Sequence, residues 1–123
     1  MKDEEKILRD VLDRWKSGIE AHEPGKVAAL FTEDGIFQGL RPYSVGRDGV
    51  SEYYDSQPLD LTADYRFQET RRLAADAILG YVFVEFGFSD TDREPILTNL
   101  TVVAVRDGDD WRLAHYHVSR ITG

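Results

Sequence analysis

Apolar side chains recur at two different spacings along this chain, and the change of spacing divides it into two halves. Within the first 22 residues they fall three or four positions apart, and charged residues fill most of the positions between them. This period predicts an amphipathic helix, whose apolar stripe consists of Ile7, Leu8, Val11, Leu12, Trp15 and Ile19. From residue 59 onward apolar residues alternate with others, and a period of two is typical of β-strands.

Proline and glycine mark the changes between elements in the intervening segment. Pro24, followed by glycine, breaks the first helix and leads into a second, short helix over residues 26–33. A short strand is predicted over residues 36–38. A third helix is predicted over residues 47–57, because Pro58 stops the helical pattern there.

Four longer strands are predicted after the helices, and short polar connections separate them. Such connections favour antiparallel pairing of neighbouring strands, here over residues 61–73, 77–88, 95–106 and 111–121. Helices in the first half and strands in the second half indicate an α+β fold, with three helices covering one face of a curved sheet. A chain of 123 residues fits one domain, expected to span residues 1–123.

Composition narrows the classes of function. The net charge of −8 opposes nucleic-acid binding, which needs a basic surface. No apolar run reaches the length of a membrane span or a signal peptide, so we expect a cytoplasmic protein that does not bind membranes. The chain has no cysteine, which excludes disulfides and thiolate chemistry. No flavin, nicotinamide or metal signature is present, so no cofactor is expected.

The strand over residues 77–88 is apolar at almost every position. An antiparallel sheet with one solvated face would carry polar residues at alternate positions. Helices can cover one face, and no further segment remains to cover the other. We therefore expect a homodimer that buries the second face.

Glu85 is the one carboxylate in this apolar strand. It can form an ion pair with Arg66 or Arg72 at the margin of the sheet. Alternatively, it lies inside an apolar cavity, where desolvation would raise its pKa and suit it to proton transfer. On the next strand, Asn99 and Thr101 are polar residues that can bind a ligand or neighbouring side chains.

The last strand carries His115 and His117 at alternate positions. Strict alternation places them on one face with Trp111 and Leu113. Two histidines can bind a metal, but a site usually needs a third ligand, and no carboxylate has a compelling spacing. A catalytic imidazole would need an orienting partner that the sequence does not name. We expect the pair to be structural, hydrogen-bonded at the sheet face or the dimer contact.

Taken in order, these segments resemble the nuclear transport factor 2-like superfamily. The most specific matches are LFTEDG, GRDGV and the W-x-L-x-H-x-H of the last strand, and within the superfamily the chain is most similar to the SnoaL-like group and its SgcJ/EcaC oxidoreductase subgroup. The resemblance implies a cone-shaped α+β barrel, related to the cystatin-like fold, in which a bent sheet wraps around the helices. It also implies a pocket between sheet and helices and a homodimer through the outer sheet face.

Members of this superfamily include polyketide cyclases, ketosteroid isomerase, dehydratases and non-catalytic binders, so the resemblance leaves the function open. Where the association domain of calcium/calmodulin-dependent kinase has pocket arginines, this chain has Phe83, Thr101 and Val118, which implies a more apolar pocket. We expect a small hydrophobic, ring-bearing molecule as ligand. Its predicted lining is Trp15, Phe37, Tyr53, Tyr54, Phe67, Tyr81, Phe83, Asn99, Thr101 and Tyr116.

Two functions follow from this pocket. If the protein is catalytic, the resemblance and the residues favour cyclase- or isomerase-type proton transfer with Glu85 as the base, or the oxidoreductase activity of the subgroup name. The alternative is a non-enzymatic homodimeric assembly or ligand-binding module.

Overall fold

The structure is a computed structural model that describes residues 3–122. Within these residues the chain forms three helices and six strands, which gives the predicted α+β class. In chain order they are α1 (Asp3–Glu20), α2 (Pro24–Ala28), β1 (Phe31–Gln38), β2 (Ser44–Val45), α3 (Arg47–Asp55), β3 (Leu61–Ala74), β4 (Ala77–Phe88), β5 (Ile96–Asp107) and β6 (Asp110–Arg120).

The six strands form one curved, open sheet in the order β2-β1-β6-β5-β4-β3. Strands β3 to β6 pair as antiparallel neighbours, as their short connections predict. Strand β1 joins β6 in parallel, and β2 pairs with β1 in an antiparallel manner. The parallel pairing brings the N-terminal half of the chain against the last strand.

The second helix is shorter than its sequence pattern predicts. It ends at Ala28 instead of residue 33, and the predicted strand over residues 36–38 begins already at Phe31. The cause is pairing with β6, because the Leu113 amide donates to the Leu30 carbonyl at 2.8 Å. Tertiary pairing therefore overrides the local helical preference here.

Helix α1 lies against the inner face of the sheet through the apolar stripe that the sequence predicts. Leu8, Val11, Leu12 and Trp15 are fully buried in the core. The helix approaches β4 closely at Gly80, where an added Cβ would lie 2.8 Å from Leu8 Cδ1. No helix in the described part of the chain is both long and apolar enough to cross a membrane.

A bulge in β6 changes which residues share a face. Val103 pairs with His115 while Ala104 pairs with Leu113, so Ala114 has no partner in β5. Leu113 is consequently buried inside, whereas His115 lies on the outer face with Val103. The prediction that the histidines share a face with Leu113 is wrong, because the extra residue shifts the alternation.

Trp111 also lies on the inner side, where it packs against the core. The Arg72 Cζ atom lies 5.9 Å from the centroid of its ring, and Arg72 in turn faces Glu4 on α1 at 3.9 Å. The predicted grouping of Trp111 with the histidines is therefore wrong for the same reason.

Candidate binding cavity

A cavity opens at one end of the sheet, between the inner face and α3. The starts of β3 and β5 and the ends of β4 and β6 meet there, as consecutive antiparallel strands require. The unfilled space between the lining residues, including open solvent at the mouth, is about 460 Å³. Its lining is mostly apolar and aromatic: Leu40, Tyr53, Tyr54, Gln57, Pro58, Leu61, Phe86, Phe88, Arg93, Ile96, Tyr116 and Val118.

A chain of three buried aromatic residues ends in this cavity. Trp15 Nε1–H donates to the Tyr54 hydroxyl at 3.1 Å, and the Tyr54 hydroxyl donates to that of Tyr116 at 3.2 Å. All three side chains are almost completely buried. Helix α1 supplies the tryptophan, α3 the first tyrosine and β6 the second, so three separate elements hold the chain in place.

The number of donor hydrogens in this row of hydrogen-bonded residues determines whether a hydrogen-bond donor is left for a ligand. Trp15 can only donate, so its N–H must use one acceptor site of Tyr54. Three donor hydrogens share two hydrogen bonds, and one hydroxyl proton is therefore left over. With Tyr54 as the donor to Tyr116 it belongs to Tyr116, for which no acceptor is present among residues 3–122; with the bond reversed it belongs to Tyr54, which lines the same cavity. The cavity consequently presents a buried hydrogen-bond donor.

Burial keeps both tyrosines protonated. It raises the pKa of the Tyr54 hydroxyl above its ordinary value of 10.0, and it raises the pKa of the Tyr116 hydroxyl well above that value too. The phenolate form is disfavoured because a charge in this apolar environment loses its hydration. At neutral pH the two hydroxyls therefore act as hydrogen-bond donors and not as bases.

The mouth of the cavity is formed by Tyr53 and Leu40 on one side and Phe88 and Arg93 on another. The Leu40 amide donates to the Tyr53 hydroxyl at 3.3 Å. The Tyr53 ring lies so close to Gly39 that a Cβ there would be 2.6 Å from Tyr53 Cε2. The Arg93 Cζ atom lies 4.0 Å from the centroid of the Phe88 ring, a cation–π arrangement.

Six of the ten predicted lining residues belong to the core or pack against it, and three of these six reach the cavity. Tyr53, Tyr54 and Tyr116 line it. Trp15 and Phe37 lie behind them: Trp15 bonds to Tyr54, and the Phe37 ring stacks on Tyr116 at 4.7 Å.

Phe67 is the other predicted lining residue that packs against the core, but it lies away from the cavity. Its ring is covered by Arg9, whose Cζ atom lies 5.1 Å from the ring centroid.

The remaining predicted residues lie on the opposite side of the sheet. The pairings show that Tyr81 is opposite Thr101, and Phe83 is opposite Asn99. Tyr81 shares the alternation of Phe83, whereas the cavity residue Phe86 belongs to the inward-facing set. Tyr81, Phe83, Asn99 and Thr101 are therefore wrong as cavity residues.

Glu85 also lies on the outer face, where it is exposed between Asp64 and Leu97. The prediction that it is a desolvated base in the cavity is wrong, because β4 turns this position away from the core. The predicted ion pair is not formed either. Arg66 instead lies over the Phe83 ring at 4.5 Å, and Arg72 lies near Glu4.

Several cavity residues are absent from the predicted lining, and the sequence pattern indicates the position of only some of them. Phe86 and Phe88 share the alternation of buried Val82 and Val84, which could have placed them on the inner face. Gln57 and Arg93 belong to connecting segments, where periodicity carries no information about orientation.

The outer face of the sheet carries apolar residues that the helices do not cover. Ile36, Val45, Tyr81 and Leu97 are 36–60% exposed, and all four occupy outward positions in the strand pairings. His115 and His117 lie among them, with ring centroids 6.1 Å apart. No cluster of three or more potential metal-ligating residues is found within the described chain.

The histidine pair makes stability depend on pH. The pKa of His115 is lowered from its ordinary value of 6.5. Partial burial is the larger cause, and the charge of His117 is the smaller one. The unfolded chain therefore binds a proton at His115 more readily than the folded chain does. Below about pH 6.5 stability is expected to fall as the pH falls, whereas above it this group contributes no change.

Denaturation of the wild type and of His115→Gln, measured between about pH 7.5 and pH 5, checks this expectation. The variant should lose less stability than the wild type over that range. An NMR titration that gives His115 a midpoint above 6.5 would contradict it.

Comparison with known proteins identifies the fold. No protein-family model matches the sequence, and no curated protein matches it significantly. Among solved structures, it is similar to a ketosteroid isomerase-like protein from Erwinia carotovora atroseptica, with a TM-score of 0.81 and 21% identity over 100% of both chains.

Two further structures show the same architecture. A domain of unknown function with a cystatin-like fold from Nostoc punctiforme has a TM-score of 0.84 at 13% identity, over 100% of this chain and 80% of that one. An NTF2-like protein of unknown function from Pseudomonas putida has a TM-score of 0.77 at 17% identity, over 97% of this chain and 87% of that one. The fold is therefore the nuclear transport factor 2-like, or cystatin-like, α+β fold, as predicted. The narrower SnoaL-like and SgcJ/EcaC assignments stay predictions.

Proposed function

We propose that this protein binds a ring-bearing apolar small molecule in the cavity and holds an oxygen atom of that molecule with the Tyr116 hydroxyl. The observation that carries the proposal is the left-over hydroxyl proton in an aromatic cavity. Apolar pockets with a few fixed polar groups are typical of small-molecule sites, where the polar groups set orientation. The surroundings of Tyr116 meet that description.

A carbonyl oxygen is the ligand group that suits this donor. A donor held by three elements costs little reorganisation when a ligand arrives. In an apolar cavity its interaction with a partial negative charge is stronger than in water. The same geometry would polarise a carbonyl and stabilise a developing oxyanion, which is the part of an isomerase- or cyclase-type reaction that these residues can perform.

Proton transfer by the protein itself has less support. No carboxylate and no imidazole lies among the described residues that line the cavity, and Glu85 lies on the outer face. The similar structure from Erwinia is named ketosteroid isomerase-like, which is consistent with a ring-bearing ligand here. Binding, with polarisation of a bound carbonyl, is the function that the cavity supports best.

We also propose that two copies associate through the outer face of the sheet. The support is the group of partly exposed apolar residues there, which includes Tyr81 and Leu97. A face of this kind is typical of an interaction surface, and a two-fold pair would place the same residues against each other. This association is compatible with cavity binding, because the cavity opens on the inner side.

Replacement of Tyr116 by phenylalanine tests the binding proposal. Acetylnaphthalene and ethylnaphthalene share a ring system and a similar shape, but only the first has a carbonyl oxygen. The wild type is expected to bind acetylnaphthalene about tenfold more tightly, in line with one net hydrogen bond in a buried site. In Tyr116→Phe this preference should weaken, because the Tyr54 hydroxyl then keeps the one unused proton. In the double variant Tyr54→Phe/Tyr116→Phe, which has neither hydroxyl, the preference should disappear.

Titration calorimetry or ligand fluorescence gives the two dissociation constants. Tyr53→Phe is the matched control, since its hydroxyl is at the mouth, and it should keep the preference. Equal affinity of the wild type for the two compounds, or no binding of either, would contradict the proposed function.

A further inference from the structure

The charge distribution in the cavity differs from that of the whole chain. The chain carries a net charge of −8, but Arg93 is the only charged residue among the described residues that line the cavity. It belongs to the connection between β4 and β5, at the mouth. Tyr116 lies deeper, at the buried end of the lining.

The Arg93 side chain is exposed and contacts one aromatic ring at the mouth. Its guanidinium lies over the Phe88 ring at 4.0 Å, and a stacked guanidinium keeps its N–H groups available at the edge of its plane. The connection itself is fixed to the chain before β3. The Ser89 amide donates to the Asp60 carbonyl at 3.0 Å, and the Asp90 amide donates to the Asp60 carboxylate at 3.1 Å.

Acidic residues surround Arg93 in sequence but do not neutralise it by contact. Asp92 and Glu94 flank it, and no carboxylate within residues 3–122 lies within 4.0 Å of its guanidinium. The nearby Asp60 carboxylate accepts from a backbone amide. The guanidinium at the mouth therefore retains hydrogen-bonding capacity for a ligand.

We propose that the ligand is an amphipathic acid: a ring-bearing molecule whose carboxylate binds Arg93 at the mouth while a carbonyl or similar oxygen accepts from Tyr116. This inference rests on the proposed function and specifies its ligand class. Arginine suits a carboxylate because its planar N–H fork matches the two oxygens.

Repulsion from the acidic surface opposes an anionic ligand but does not outweigh this contact. Charges farther away than about 8 Å are largely screened at physiological ionic strength, so the repulsion comes mainly from the acidic residues next to Arg93, Asp92 and Glu94. A charge-assisted hydrogen bond acts at contact distance and is roughly twice as strong as a neutral one. The direct partner therefore determines the sign of the preference.

A pair of probes that differ only in charge tests the inference. Acetylnaphthoate, with its acetyl and carboxylate groups at opposite ends of the ring system, is compared with acetylnaphthamide. The wild type is expected to prefer the acid about tenfold, and added salt should reduce the preference. The ratio of the two dissociation constants should approach one in Arg93→Gln and be partly kept in Arg93→Lys.

Arg71→Gln is the matched control, because it removes the same charge at an exposed residue of β3 that does not line the cavity. It should keep the wild-type ratio. A wild-type ratio near one, or a preference that survives in Arg93→Gln, would overturn the assignment of an acid. In that case binding of uncharged acetylnaphthalene would leave the proposed function standing, whereas failure of acetylnaphthalene to bind would overturn both.

Discussion

Replacing Tyr54 by phenylalanine is expected to lower the free energy of unfolding by about 1–3 kcal/mol. The change removes the hydroxyl that accepts from Trp15 Nε1 and donates to Tyr116. The Trp15 N–H is then buried without a partner, because Trp15 is 0% exposed. A buried donor without a partner loses its hydrogen bond to water and gains none in the protein.

Tyr53→Phe is the matched control for this experiment. Its hydroxyl accepts one longer bond from the Leu40 amide, at 3.3 Å and close to solvent. Water can replace that bond, so we expect the free energy of unfolding to fall by less than about 1 kcal/mol. Chemical denaturation of the two variants gives the comparison. Equal losses of unfolding free energy in the two variants would show that the hydrogen bonds linking Trp15, Tyr54 and Tyr116 do not stabilise the fold as proposed.

The second large effect concerns association. We expect the wild type at micromolar concentration to have the mass of two chains by light scattering after size exclusion, and Tyr81→Glu to have the 14.0 kDa mass of one. Tyr81 lies on the outer face, and Glu69 is its pairing partner in β3. A second carboxylate there would be buried next to a like charge if two outer faces met.

Leu59→Glu adds the same charge at a connecting residue that is 75% exposed, and it should leave the mass unchanged. A wild type of single-chain mass would overturn the proposed association. A Tyr81→Glu variant that still has the mass of two chains would place the contact elsewhere.

The cavity and the outer face have separate roles in these proposals. The cavity depends on inward residues of β4, β5 and β6 and on α3, whereas the proposed association depends on the outward residues of the same strands. Because side chains alternate across a sheet, Tyr81→Glu changes one face without entering the other. Ligand affinity in this variant therefore separates loss of association from loss of the cavity.

Part of the candidate site could be predicted from the sequence, and the aromatic residues show the limit. Helical periodicity predicts that Trp15 is buried, and the predicted lining includes all three cavity tyrosines, Tyr53, Tyr54 and Tyr116. For the strand residues the prediction fails: aromatic character alone favours Tyr81 and Phe83 as lining residues, although alternation with buried Val82 places them outward. An apolar strand with similar residues on both faces does not reveal which face is inside.

The sequence by itself determined the order and type of most elements, because the periods of helices and strands are local properties of the chain. The bounds of β4 and the antiparallel pairing of β3 to β6 followed from alternation and short connections. These features depend on neighbours within a few residues, which a single sequence contains.

Only the tertiary structure decided how distant segments meet. Pairing with β6 converted the end of the predicted second helix into β1, and the bulge at Ala114 separated His115 from Leu113. The donor in the cavity requires Tyr54 and Tyr116 to meet across 62 positions. Arg93 reaches the mouth through a connection that has no period. Each of these contacts depends on the register and curvature of partner strands, and local residue preferences do not specify either.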